Sequence, residues 1–190
     1  MYKRQHPGNA YHKMINAIKL VSEFVESLPK DRLSPETTQD REGFIHPTDI
    51  KGGVDSAVVQ FLLRDFDEAK LTEQKDFILQ KAEAVVAQHP GTKFTYAHKV
   101  QYRNMSSVLD RYPDVIGNAE KAIRDAGLEV RKMAVRGGTD GSQLSLNGLP
   151  TPNIFAGEQN YHSRYEWVSV QDMLKSAEVI VRIAQLWAQQ

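Results

Sequence analysis

The chain of 190 residues contains no cysteine, which excludes disulfide staples and cysteine-ligated zinc. That absence fits a cytoplasmic protein, and the cytoplasm is the expected location. Neither sign of charge is in excess, because 24 Lys and Arg stand against 24 Asp and Glu. Bulk electrostatics therefore exert no pull toward nucleic acid or an anionic membrane, and neither partner is expected. No apolar run approaches the ~20 residues needed to cross a bilayer. The opening MYKRQHPGNAYHK carries positive charge without an apolar stretch behind it, so it is not a secretory signal. Internal repeats and low-complexity segments are missing too. What remains is a globular balance, 41% hydrophobic and 25% charged, with enough apolar material for a core.

The first half reads helix, strand, strand, helix, strand. Over residues 9–28, Met14, Ile18, Val21, Val25 and Leu28 recur at helical spacing until Pro29 stops the run. After the polar loop KDRLSPETTQDREG come two strand-like runs, GFIHPTDIKG and DSAVVQFLLRDFD. KLTEQKDFILQKAEAVVAQHPG predicts a helix, with Thr72 as its N-cap and Pro90-Gly91 as its end. KFTYAHKVQY alternates through Phe94, Tyr96, His98 and Val100, the period of a half-buried strand. Hairpin-related strands with helices on one side imply a two-layer α/β sandwich.

Beyond about Met105 the pattern changes to alternating helix and strand. YPDVIGNAEKAIRDAG has Pro113 in its first turn and Gly127 past its end, the asymmetry expected of a helix. LEVRKMAV and LPTPNIFAG read as strands, and between them RGGTDGSQLSLNG reads as a glycine loop entering a helix capped by Thr139 or Asp140. Ser169 and Asp172 resemble a capping box opening a last helix with the apolar stripe Met173, Ala177, Ile180 and Ala184. Alternation of this kind implies a parallel sheet, so a domain boundary is expected at residues 103–106. Three parallel strands alone would leave an exposed apolar edge, and strands from elsewhere in a longer chain are expected to cover it.

Chemistry without cysteine would have to use the histidines His6, His12, His46, His89, His98 and His162. None shows HxH, HExxH or HxxEH spacing, so no self-contained zinc site is written locally. His46, His89 and His98 read as turn or surface histidines, whereas His162 follows a predicted parallel strand, where ligand sites of α/β sheets gather. RGGTDG, residues 136–141, is open to two readings: an anion-binding backbone with Arg136 for a carboxylate, or a tight turn needing glycine. Arg64, closing the apolar strand in LLRDFD, is either paired with Asp65 or Asp67 or clamps a substrate carboxylate.

Taken together, HPGNAYHKMINA (6–17), EGFIH (42–46), LLRDFD (62–67), RNM (103–105), RGGTDGSQLSLNGLPTPNIFAG (136–157) and NYHSRYEWV (160–168) resemble the peptidase T family. These are tripeptide aminopeptidases in the clan of two-zinc exopeptidases and deacylases. The motifs occur in the family's order and reach across the chain from residue 6. Two positions depart from the pattern: Ser163 where glycine is expected, and Ile45 where an aromatic is usual.

The resemblance implies a lid (dimerisation) domain over residues 6–104, without its first strand, followed over 105–190 by the C-terminal portion of a catalytic α/β domain. Residues 1–5 read as a non-native start. His162 matches the family's C-terminal zinc ligand, and His6 a lid histidine that stabilises the tetrahedral intermediate, often across a dimer interface. Arg64, Asn104 and Arg136 fall at positions connected with substrate binding. The implied activity is zinc-dependent release of the N-terminal residue from tripeptides, with two zinc ions per intact site and a homodimer formed through the lid. The other zinc ligands and the glutamate general base are expected upstream of these motifs, so this portion alone is expected to be inactive. A related two-zinc deacylase or dipeptidase, and a non-catalytic dimerisation module, are the alternatives.

Overall fold

The computed structural model describes residues 6–101 and 103–189, and the expected non-native start at residues 1–5 lies outside them. The chain divides into two compact units, one ending at Lys99 and the other beginning at Val100.

In the first unit, helices form where a cap meets an apolar stripe. Helix α1 spans Ala17–Glu26 rather than starting near Asn9, because Asn16 caps it: its Oδ1 accepts the Ile18 N–H at 2.9 Å. Ahead of it the chain makes a 3-10 turn, Pro7–Asn9, and His12 has a φ of 52°, which a continuing right-handed helix excludes. Strands β1 (Phe44–Gly52) and β2 (Ala57–Arg64) pair antiparallel, as the sequence predicts, with Phe44 opposite Arg64 and Gly52 opposite Ala57. The register slips between Pro47 and Asp49, where proline has no N–H to give the ladder.

Helix α2 spans Glu68–Gln88. Its N-cap is Asp67, whose Oδ1 accepts the Ala69 N–H at 2.8 Å, and not Thr72, whose hydroxyl donates to the Glu68 carbonyl inside the helix. A carboxylate at the positive end of the helix dipole outcompetes a hydroxyl one turn later. Both helices pack on each other and on the hairpin. Phe24 meets Phe61 edge-on at 5.6 Å, and Ile45 and Val85 are buried with Phe24. The result is a two-layer α+β arrangement.

The second unit contains α3 (Ser106–Leu109), α4 (Pro113–Asp125), α5 (Asp140–Leu146) and α6 (Val170–Trp187). Their ends follow the sequence signals. Pro113 opens α4, and Gly127 beyond it has a φ of 78°. Thr139 Oγ1 accepts the Ser142 N–H at the start of α5. Ser169 Oγ accepts the Asp172 N–H at 3.0 Å at the start of α6. Where α4 meets α6, Ala122 and Val179 are fully buried beside Ala126, with Ile154, Ile183 and Leu186 packed around them.

Two expectations fail here. Residues 94–100, 128–135 and 149–157 are not strands, and the second unit holds no sheet among the described residues, only an isolated bridge between Gln159 and Trp167. A helix closes its hydrogen bonds within itself, whereas a strand needs a neighbour, and apolar patterning does not say whether one is present. The stripe Met173, Ala177, Ile180 and Ala184 of α6 is likewise exposed, because the helix turns Val179, Ile183 and Leu186 toward α4 instead.

Candidate functional site

The proposed site residues fall into both units. In the first, His6 precedes the 3-10 turn and its Nδ1 accepts the Gly8 N–H at 3.2 Å. It lines an open groove with Met14, Asn16 and the β1–β2 turn residues Gly53, Asp55 and Ser56. The Ala17 N–H donates to the Val54 carbonyl at 2.9 Å, which ties the start of α1 to that turn.

Arg64 sits at the far end of β2 from this groove. The seven steps of about 3.3 Å along β2 separate the two by roughly 23 Å, so the structure does not bring His6 and Arg64 together within one copy. Arg64 is half-buried, and its Nη1 donates to the Leu63 carbonyl at 3.0 Å. The buried Gln74 reaches from α2 and donates to both the Arg64 carbonyl (3.2 Å) and Asp65 Oδ2 (3.3 Å), fixing the strand end. A Cβ at Gly43 would lie 2.7 Å from the Arg64 carbonyl, so only glycine fits in the EGFIH turn. Sequence reading missed Gln74, since a lone glutamine on an otherwise polar helix gives no periodic signal.

In the second unit, Asn104 is exposed, two residues before the short α3, and its Oδ1 accepts the N–H of Ser106, the first residue of that helix, at 3.0 Å. Arg136 is half-buried where the chain enters the glycine turn ahead of α5. In that turn Thr139 Oγ1 also accepts from Asn153 Nδ2 at 3.1 Å.

His162 lies on a loop closed by the Gln159–Trp167 bridge. Asn160 and His162 both have positive φ, 57° and 62°, a conformation in which asparagine and histidine are enriched. Contacts within the loop include Ser163 N–H to the Asn160 carbonyl (3.0 Å), Asn160 Nδ2 to the Tyr165 carbonyl (3.3 Å), Tyr165 N–H to Ser163 Oγ (3.0 Å) and His162 N–H to Glu166 Oε2 (2.8 Å). The imidazole is exposed. Glu166 was not singled out from the sequence, although a carboxylate four residues after the histidine in a polar loop was the available signal.

Among the described residues, no group of three or more His, Asp and Glu side chains could hold a metal ion. The two-zinc centre implied by the resemblance therefore does not fit these residues by themselves, since each ion needs several ligands. The carboxyls held below their ordinary range lie away from these residues: Glu120 beside Lys132, Asp125 beside Lys121 and Glu178 beside Lys175 and Arg182 on helix surfaces, and Glu36 beside Ser34 in the turn ahead of β1. Among the described residues no helix is long and apolar enough to cross a membrane.

Comparison with known proteins decides the relationship. Residues 3–92 match the peptidase dimerisation domain. A Peptidase T from Bacillus velezensis is 40% identical over 185 residues, covering 97% of this chain and 45% of that protein. This chain is a homologue of Peptidase T. Further proteins of that name, from Clostridium perfringens and Geobacillus thermodenitrificans, are 40% and 41% identical over 187 residues. The chain spans less than half the length of these Peptidase T relatives, 46% and 45% for the last two. A match over 98% of the chain takes in both units, not the dimerisation domain alone.

Proposed function

We propose that this chain carries the lid unit and part of the catalytic unit of a zinc-dependent aminopeptidase that releases the N-terminal residue of tripeptides in the cytoplasm. The observation that carries the reading is the 40% identity to Peptidase T over 97% of the chain, spanning both units. Peptidases with this dimerisation domain are generally metal-dependent, which supports a hydrolytic metal centre in the whole protein.

On this reading His162 is a zinc ligand. Its exposed imidazole, on a loop braced by Glu166, is free to meet ligands from other polypeptide. His6 is the group that stabilises the tetrahedral intermediate, as a donor aimed at the developing oxyanion. Arg64, Asn104 and Arg136 bind substrate, the guanidinium groups being suited to a terminal carboxylate. A tripeptide is about 10 Å long when extended, far less than the ~23 Å between the two ends of β2. His6 and Arg64 of one copy therefore do not reach the same substrate. A homodimer through the matched dimerisation domain resolves this, with one of the two residues supplied by the partner.

The test is a chimera in which this chain replaces the matched region of the Bacillus velezensis Peptidase T. The chimera is expected to hydrolyse tripeptides and not dipeptides or N-acyl amino acids. His162→Ala is expected to lower kcat/KM at least a thousandfold and to reduce bound zinc in parallel. Full activity with full metal content in that variant overturns the assignment, and preference for N-acyl amino acids moves the reading to a deacylase.

A further inference from the structure

Helix α2 turns a buried glutamine, Gln74, toward the end of β2. Packing alone would be served as well by an apolar side chain, because a buried amide must find partners for both its oxygen and its nitrogen. Gln74 finds them for the nitrogen only. Its Nε2 donates to the Arg64 carbonyl and to Asp65 Oδ2, while its buried Oε1 has no hydrogen-bond partner among the described residues. The two acceptors fix which way round the amide sits, since a flipped amide would set oxygen against oxygen. A polar group buried in this way calls for an explanation beyond filling space.

The explanation lies in what Gln74 holds. Arg64 Nη1 donates back to the Leu63 carbonyl at 3.0 Å, so the guanidinium rides on the backbone of the last two residues of β2. That backbone is gripped from several directions. From α2, Gln74 takes the Arg64 carbonyl. From the other side comes Gly43, where an added Cβ would lie 2.5 Å from Gln74 Nε2 and 2.7 Å from the Arg64 carbonyl. Asp65 uses its second oxygen, Oδ1, to accept the Asp67 N–H at 3.0 Å, and Asp67 in turn caps α2. The strand end, the residue ahead of β1 and the first turns of α2 thus form one interlocked cluster.

We propose that Gln74 is a positioning residue for Arg64: by clamping the Arg64 carbonyl and Asp65 against Gly43, it sets where the guanidinium stands to receive the C-terminal carboxylate of a short peptide. A guanidinium fork binds a carboxylate through two parallel hydrogen bonds, so a displacement of about 1 Å at its base weakens both. Gln74 itself touches no substrate. Its influence is therefore confined to substrates that carry a free C-terminal carboxylate. The inference rests on the reading of Arg64 as a substrate-binding residue.

The experiment uses the chimera with the Bacillus velezensis Peptidase T, assayed on a tripeptide and on the same tripeptide with its C-terminus amidated. Gln74→Met keeps the side-chain volume and removes both donated bonds. It is expected to raise KM for the tripeptide about tenfold and KM for the amide less than about twofold. Gly43→Ala enters the same contact from the opposite side and is expected to shift the ratio of the two KM values in the same direction. It carries the test where Gln74→Met folds poorly. KM does not depend on how much of a preparation is folded, so a loss of stability alone leaves that ratio unmoved. In an Arg64→Ala background, Gln74→Met is expected to add nothing to the ratio. Equal KM changes on both substrates, or additive effects of Gln74→Met and Arg64→Ala, make Gln74 a structural residue and overturn the proposal. If Arg64→Ala shifts the ratio and neither Gln74→Met nor Gly43→Ala does, the inference falls and the reading of Arg64 stands. If Arg64→Ala leaves the ratio at the parent value, or the chimera cleaves neither substrate, that reading falls and the inference with it.

Discussion

The two units differ in how their backbone is satisfied. In the first, β1 and β2 pair along their full length and two helices cover them, so local patterning and tertiary partners agree. In the second, the helices form and cap as expected, while the intervening segments remain outside any sheet. The cores differ accordingly. Phe24, Ile45 and Val85 anchor the first, whereas the α4–α6 contact of the second is built from Ala122, Ala126 and Val179. Small residues let two helices approach closely but bury little area, so most of the apolar surface of α6 faces outward.

Three measurements would break or sharpen that contrast. Both tryptophans, Trp167 and Trp187, lie in the second unit, so their fluorescence reports that unit alone. The largest effect is expected from Phe24→Ala, which removes the edge contact with Phe61 and should cost the first unit about 3–5 kcal/mol. Exchange in β1 and β2 should accelerate while the tryptophan transition stays put. If both move together, the two units unfold as one and the contrast collapses.

Next comes Ala122→Leu, which forces three extra carbons into a fully buried contact and should destabilise the second unit by about 1–3 kcal/mol. Here the tryptophan transition should shift and exchange in β1 should not. An unchanged transition would mean that the α4–α6 contact is loose enough to accept the added volume.

The smallest effect is acid sensitivity. Lys132 holds the Glu120 carboxyl below its ordinary value, Lys121 does the same for Asp125, and Lys175 with Arg182 for Glu178. Groups depressed in the folded state contribute stability that is present above the ordinary carboxylate range and lost as pH falls through the folded values. A modest drop in the tryptophan-detected Tm is therefore expected from neutral pH to about pH 4, diminished by 1 M salt because the groups are exposed. A Tm that rises on acidification would contradict the assignment of these pairs.

Much of this molecule could be read locally. Pro113, Gly127, Thr139 and Ser169 each act through atoms within a few residues, and the structure uses each where the sequence put it. The displaced starts of α1 and α2 show the limit of that reading. Asn16 and Asp67 win because their side chains reach the amide two residues on, in competition with other plausible caps. For the candidate site, the sequence marked the loop of His162 and the strand end of Arg64. It did not mark Glu166, Gln74 or the tight approach at Gly43, since these matter through where the backbone folds back on them.

By itself the sequence determined the helices, the β1–β2 hairpin and the absence of any local metal motif, because their hydrogen bonds or ligand spacings close over short stretches of chain. Tertiary structure decided which face of α6 is buried, that residues 94–100, 128–135 and 149–157 join no strand, and that His6 sits beside the β1–β2 turn while Arg64 closes the far end of β2. Those outcomes depend on neighbours distant in sequence, and apolar periodicity specifies a face to be covered without specifying what covers it.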